Sequence, residues 1–210
     1  MTRGAILCMP VLLLWGSLLA GCGSKPPAPT LEEHLAKGQA AFARGDAIVL
    51  EARAASLAEE AADLYAMAVE AWAEAAEAYS DAFRLIDPVP ESASQRAMLA
   101  FRVARAFAKA ARHGQAASWA GFRADHAFLW LDQTARLAPH MRQVHYERAR
   151  LFDSDIDKVR DVMAAHVSYS RYLADVDLSS QTVSEAEQPR VALARERRAA
   201  LAPPKVEGDK

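Results

Sequence analysis

The side chains able to do chemistry in this chain are few and scattered. Its histidines stand at positions 34, 113, 126, 140, 145 and 166, and none falls in an HExxH or a cysteine–histidine spacing that would hold zinc. His140 and His145 are five residues apart, which puts them on different faces of a helix. The run Asp153-Ser154-Asp155-Ile156-Asp157 begins like a calcium loop, with Asp161 at the ninth position. Its sixth position is Lys158 rather than glycine and its twelfth is Ala164 rather than glutamate, so the sharp turn and the bidentate carboxylate are both missing. That spacing predicts instead that Ser154, Asp155 or Asp157 caps a helix starting near Ile156. No GxSxG and no glycine-rich phosphate loop occurs. Glu70, Glu74 and Glu77 recur at helical spacing, and Arg195-Glu196-Arg197-Arg198 closes a terminal helix; both read as solvated faces. These residues predict no metal site, no cofactor, no catalytic residue and no enzyme.

Two thiols remain, Cys8 and Cys22. Residues 1–22 read MTRGAILCMPVLLLWGSLLAGC: Arg3, an apolar stretch from Ala5 to Ala20 broken by Pro10 and Gly16-Ser17, then small residues. The stretch is short of the roughly 20 apolar residues of a membrane-spanning helix and has the layout of a secretory leader. Its end, Leu19-Ala20-Gly21-Cys22, resembles the lipobox of bacterial lipoproteins. The resemblance implies that 1–21 is a signal peptide, that Ala20 and Gly21 fit a narrow peptidase site, and that Cys22 carries a covalent lipid at the mature N-terminus. Two or three acyl chains at about 0.8 kcal/mol per buried methylene hold such a protein on a bilayer. Gly23-Ser24 offers no aspartate at the position that retains lipoproteins in the inner membrane, so the resemblance points to the periplasmic face of the outer membrane, with the inner membrane as alternative. Residues 22–30 then form a proline-rich tether. At about 3.1 Å per residue it reaches roughly 25 Å from the lipid.

Positioning falls to helices. Alanine fills 47 of the 210 positions, which favours helix and disfavours strand. No segment alternates apolar and polar residues, so the chain reads as all-α. A net charge of -2 predicts no nucleic-acid partner, which would need a concentrated basic face. Thr30 and Glu33 form a capping box that starts a helix with Leu35 and Phe42, ending at Gly45-Asp46. A second box, Ser56-Leu57-Ala58-Glu59, precedes a run to Ile86, which Asp87-Pro88-Val89-Pro90 stops. Ser92 starts the next helix, with Leu99, Val103, Ala106, Phe107 and Ala110 on one stripe and Arg112-His113-Gly114 at its end. Helices follow over about 118–138, to Phe152, and from Ile156 to Val176. A third box, Thr182-Val183-Ser184-Glu185, starts a final helix to Leu201. The folded domain is thus 31–201, and 202–210 is a disordered tail.

Three segments share a pattern: Ala75, Tyr79, Ala82 and Pro88; then Ala127, Leu131, Thr134-Ala135 and Pro139; then Ala165, Tyr169 and Tyr172-Leu173. They resemble the second helix of the tetratricopeptide repeat, and Gly38 to Asp46 resembles its first helix and inter-helix glycine. The resemblance implies antiparallel helix pairs stacked as a short solenoid, with a capping helix at the C-terminus. Spacings of 52 and 38 residues depart from the family's 34, and Tyr172 is bulky where the family is small. A generic alanine-rich bundle is the alternative. The function implied is a lipid-anchored scaffold that binds another envelope protein, with Trp119, Phe122 and Trp130 as candidate groove aromatics; Phe128 joins them only as a lining of the pocket that a solute binder would need. A solute-binding lipoprotein, or a coiled-coil tether through the 57–86 helix, are the alternatives.

Overall fold

The computed structural model describes residues 27–114, 117–178 and 183–203. The leader over 1–21, Cys22 and the start of the tether, Thr182 of the third capping box, and the tail beyond 203 lie outside the described residues. Among the described residues all regular structure is helical: α1 (Leu31–Ala54), α2 (Ala58–Arg84), a single 3-10 turn (Pro90–Ser92), α3 (Ala93–His113), α4 (Ala117–Leu137), α5 (Gln143–Phe152), α6 (Val162–Leu178) and α7 (Gln188–Ala200). The all-α reading holds. None of these helices is long and apolar enough to cross a membrane.

The first capping box forms as its residues dictate: Thr30 Oγ1 accepts the Glu33 N–H at 3.2 Å, and the Glu33 carboxylate accepts the Thr30 N–H at 2.7 Å. The helix it starts does not end at Gly45-Asp46 but continues to Ala54. Gly38 and Gly45, seven apart, are notches for two aromatic rings of α2. A Cβ on Gly38 would lie 2.7 Å from the Tyr79 ring, and one on Gly45 would lie 2.6 Å from the Trp72 indole. Here glycine serves close approach and not helix termination. The second box does not form, because Leu57, not Ser56, holds the extended N-cap position and makes no side-chain bond. Burial along α2 begins only at Ala68, and Leu57 is exposed.

α2 ends ahead of Pro88, and α3 ends at His113, as the punctuation predicts. α6 starts at Val162 and not near Ile156. Ile156 and Val159 are buried against α3 and α4, so the segment between Phe152 and Val162 is pulled into a compact turn. Lys158 supplies that turn with a left-handed φ of 63°. The cap is Asp161, whose Oδ1 accepts the Ala164 N–H at 2.9 Å, and not Ser154, Asp155 or Asp157.

Helix α1 packs on α2, α2 on α3, and α3 on α4; α5 packs on α6, and α6 on α7. α5 touches α3 and α4 only lightly. Alanine dominates the core of the first four helices, with Ala75, Ala76, Ala82, Ala104, Ala106 and Ala108 fully buried.

Candidate functional site

The four aromatics singled out from the sequence divide. Trp119 and Phe122 project from α4, 59% and 52% exposed, in an edge-to-face pair at 6.1 Å. Phe122 lies 4.2 Å from the His126 ring, which in turn leans on Phe107 of α3 at 5.3 Å. Leu129, seven residues after Phe122, is 62% exposed. Trp130 turns towards α2 and meets Phe83 edge-on at 5.1 Å. Phe128 is half-buried and packs on Phe152 at 4.8 Å against the core. A groove of about 330 Å³ runs between α2 and α4. Trp130 and His126 form one wall, Phe107 the floor, and Glu77, Ser80 and Asp81 the other wall.

A second feature escaped the sequence reading. α3 carries Arg96, Arg102, Arg105, Lys109 and Arg112 and no carboxylate, whereas α2 carries seven carboxylates and one arginine. Positions 102, 105, 109 and 112 fall on one face of α3 at steps of three and four. Their stems cross aromatic rings: Arg102 lies 5.6 Å from the Tyr79 centroid, Arg105 5.3 Å from Phe42, and Lys109 4.8 Å from Phe42 and 5.2 Å from Trp72. Phe107 lies about 200° around the helix from Arg105 and Lys109, so the groove and this basic face use different sides of α3.

The basic face overlooks two cavities. One, of about 300 Å³, is lined by Gln39, Phe42, Asp46, Tyr79, Arg102 and Arg105. The other, of about 290 Å³, brings Arg53 of α1 and Arg150 of α5 to Lys109, Arg112 and His113. A broader cleft of about 710 Å³ shares Arg53, Arg112, His113 and Arg150 and extends to Asp153 and Arg197. Two carboxylates partly balance the charge. Asp46 accepts the Trp72 indole N–H at 3.0 Å and pairs with Lys109. Glu147, buried on α5, is 3.2 Å from Arg112 Nη1 and 3.5 Å from Arg105 Nε. Burial would raise the Glu147 pKa, but Arg112, Arg105 and Arg150 overcome it and hold the carboxylate below its ordinary value. His113 stacks on Tyr65 at 5.5 Å and on Trp72 at 5.2 Å. Burial, and then the charges of Arg112, Arg53, Lys109 and Arg150, push its pKa down to about 4, so it is neutral at pH 7.

Asp153, in the acidic turn after α5, is engaged by two partners. Arg197 bonds both Asp153 oxygens, Nε to Oδ2 at 2.6 Å, and the Tyr169 hydroxyl donates to Asp153 at 3.2 Å. A similar knot joins α6 to the start of α7. Arg142 Nε donates to Glu187 at 3.0 Å, and the Tyr172 hydroxyl donates to the same carboxylate at 3.1 Å. These carboxylates are acceptors for buried hydroxyls, and Asp153 has no oxygen to spare for a cation. Among the described residues no three metal-ligating side chains gather.

A signal for the basic face was present in the sequence: 21 residues over 93–113 with five cations and no acid. The near-neutral total charge concealed it, because α2 supplies the compensating acids. No protein-family model matches the chain, and comparison with curated proteins and with solved structures returns no match either.

Proposed function

We propose that this protein is a lipid-anchored adaptor of the bacterial envelope, tethered through Cys22 and holding a partner protein against the α2–α4 groove. The observation that carries the reading is the row of Trp119, Phe122 and Leu129 exposed along α4 beside that groove. Large apolar side chains gathered on one helix face, next to a concave surface, are the usual mark of a protein contact. The occupant is an amphipathic helix of another envelope protein. Its apolar face covers Trp119, Phe122 and Leu129, and its basic flank faces Glu77, while Asp81 in the same wall is paired with Arg84. The lipobox resemblance of Leu19-Ala20-Gly21-Cys22 supports the anchor and an outer-membrane, periplasm-facing position.

The helical body in this proposal is a degenerate tetratricopeptide-like array: α1–α2, α3–α4 and α5–α6 as antiparallel pairs, with α7 as the cap. Gly38 against Tyr79 and Gly45 against Trp72 run in opposite senses along α1 and α2, which supports the first pair. Sequential packing from α1 to α4 and again from α5 to α7 supports the stacking, with a lighter contact between α4 and α5.

The test is recovery of the partner by mild crosslinking and pull-down of the full chain from solubilised membranes. A stoichiometric partner should be lost in Trp119→Ser/Phe122→Ser while the helical melting curve stays unchanged. Cys22→Ala should weaken recovery by releasing the bait from the membrane. Undiminished capture by the double variant removes the α4 surface from the account, and a Cys22 without lipid in intact-mass analysis removes the anchor.

A further inference from the structure

The cleft where α1, α3 and α5 meet is a different kind of site from the α4 surface and stands independently of it. Four cations reach it: Arg53, Lys109, Arg112 and Arg150. Asp46 is the carboxylate in its wall, and buried Glu147 behind it is shared by Arg112 and Arg105. Within this cavity four positive charges meet two negative ones, an excess of about two; of the acids lining the wider cleft beyond it, Asp153 is paired with Arg197 and Asp155 with Arg160, while Asp157 and Glu196 stand at its far side. Arg53 and Arg150 have no carboxylate partner among the described residues; Arg150 only lies over the Tyr146 ring at 5.9 Å. The Arg112 side chain is nine-tenths buried, spends Nη1 on Glu147, and leaves its buried Nε without an acceptor. An unpartnered guanidinium N–H is costly in such a place, and its cost is relieved by an incoming acceptor. A cavity of about 290 Å³ has room for a small anion.

We propose that this cleft binds a phosphoryl dianion, with Arg53 and Arg150 closing over its oxygens and Arg112 donating from the floor. A phosphate group carries about -1.5 to -2 charges near neutrality, which matches the excess, and arginine forks fit its tetrahedral oxygens. Trp72 and His113 form the aromatic wall, and burial with the surrounding cations keeps His113 neutral at pH 7. The same chemistry is offered by free phosphate or a soluble phosphomonoester and by the head group of an anionic lipid.

The experiment uses the full chain in detergent and titrates it with inorganic phosphate, and separately with dihexanoyl phosphatidic acid below its micelle threshold, against sodium chloride at matched ionic strength. Calorimetry should show saturable binding of at least one probe. In a parallel NMR titration, the bound anion should raise the His113 midpoint from about 4 by at least one pH unit. Arg53→Gln and Arg150→Gln should each weaken binding at least tenfold, and Arg136→Gln, exposed on α4, should leave it unchanged. The probe that binds more tightly names the source, soluble phosphate or lipid head group. Heats indistinguishable from chloride with both probes overturn the proposal, as does wild-type affinity in both Arg53→Gln and Arg150→Gln.

Discussion

Between α1, α2 and α3 the contact surface is Ala41, Ala75, Ala76, Ala82 and Ala106, with Tyr79 and Trp72 seated in glycine notches; between α5, α6 and α7 it is Tyr146, Tyr169 and Tyr172 with Leu173, Val176 and Val191. Small residues let helix axes approach closely and bring almost no polar atoms inside. Tyrosines fill a wider gap but carry a hydroxyl with them, and a buried hydroxyl needs an acceptor. Asp153 and Glu187 are those acceptors, and each is also bonded by an arginine, Arg197 on Asp153 and Arg142 on Glu187. The first region is therefore closed by shape, and the second by chains of tyrosine, carboxylate and arginine. Shape tolerates loss of charge and not a change of volume; the polar chains behave the other way round.

The largest effect should come from breaking the shape-closed region. Trp72→Ala should cost about 3–5 kcal/mol, seen as a fall in Tm of roughly 10 °C at about 2–4 °C per kcal/mol. Gly45→Leu alone overpacks the notch and should cost about 1–3 kcal/mol. Combining the two lets the new side chain enter the vacated space, so the double variant should beat the sum of the singles by about 1 kcal/mol or more. Strict additivity would show that Gly45 and Trp72 do not form a notch and its filling.

Next comes the polar region. Glu187→Ala removes the acceptor of the Arg142 Nε–H and of the Tyr172 hydroxyl and should cost about 3 kcal/mol. Hydrogen exchange should locate the loss in α6 and α7 and leave protection in α2 and α3 intact. Equal loss in both regions would erase the contrast between them. Tyr172→Phe removes one hydrogen bond and leaves Arg142–Glu187 standing, so about 1 kcal/mol is expected from denaturant unfolding.

Acidification separates the regions by window. His113 has its pKa lowered by burial and neighbouring cations, so between pH 6.5 and about 4 the unfolded chain takes up a proton that the folded chain refuses. Stability should fall as the pH drops through that window, and His113→Gln should flatten the slope. His145, also lowered chiefly by burial, adds a smaller slope of the same sign. Glu187 is held below its ordinary value by its bond from Arg142, so its contribution is fully present above about pH 4.5 and is lost as the pH falls further. A His113→Gln variant with the wild-type slope between pH 6.5 and 4 would mean that the imidazole stays solvated in the folded state.

Features set by neighbours in sequence were readable in advance. Thr30 and Glu33 cap each other across three residues, and the proline run from Pro88 to Pro90 stops α2 without help from the rest of the chain. The stripe Leu99, Val103, Ala106 and Ala110 is buried as its spacing predicts. Gly45 misled because a helical glycine followed by a polar residue looks the same whether it ends a helix or receives a ring from residue 72. Ile156 misled because its burial against α3 and α4 delays the helix that its own segment would otherwise start. Of the candidate aromatics, Trp119 and Phe122 were legible as a pair at helical spacing. Which way Phe128 and Trp130 turn depends on Phe152 and Phe83.

By itself the sequence determined that the body is helical, that Thr30 and Glu33 cap its first helix and that Pro88 follows the end of the second, because each of these depends on residues within a few positions of one another. Only the tertiary structure decided that Arg53, Lys109, Arg112 and Arg150 share one cleft, that Asp153 is consumed by Arg197, and that two glycines are notches. Those outcomes rest on contacts between residues roughly 30 to 100 positions apart, and periodicity along a single helix carries no record of what will be packed against it.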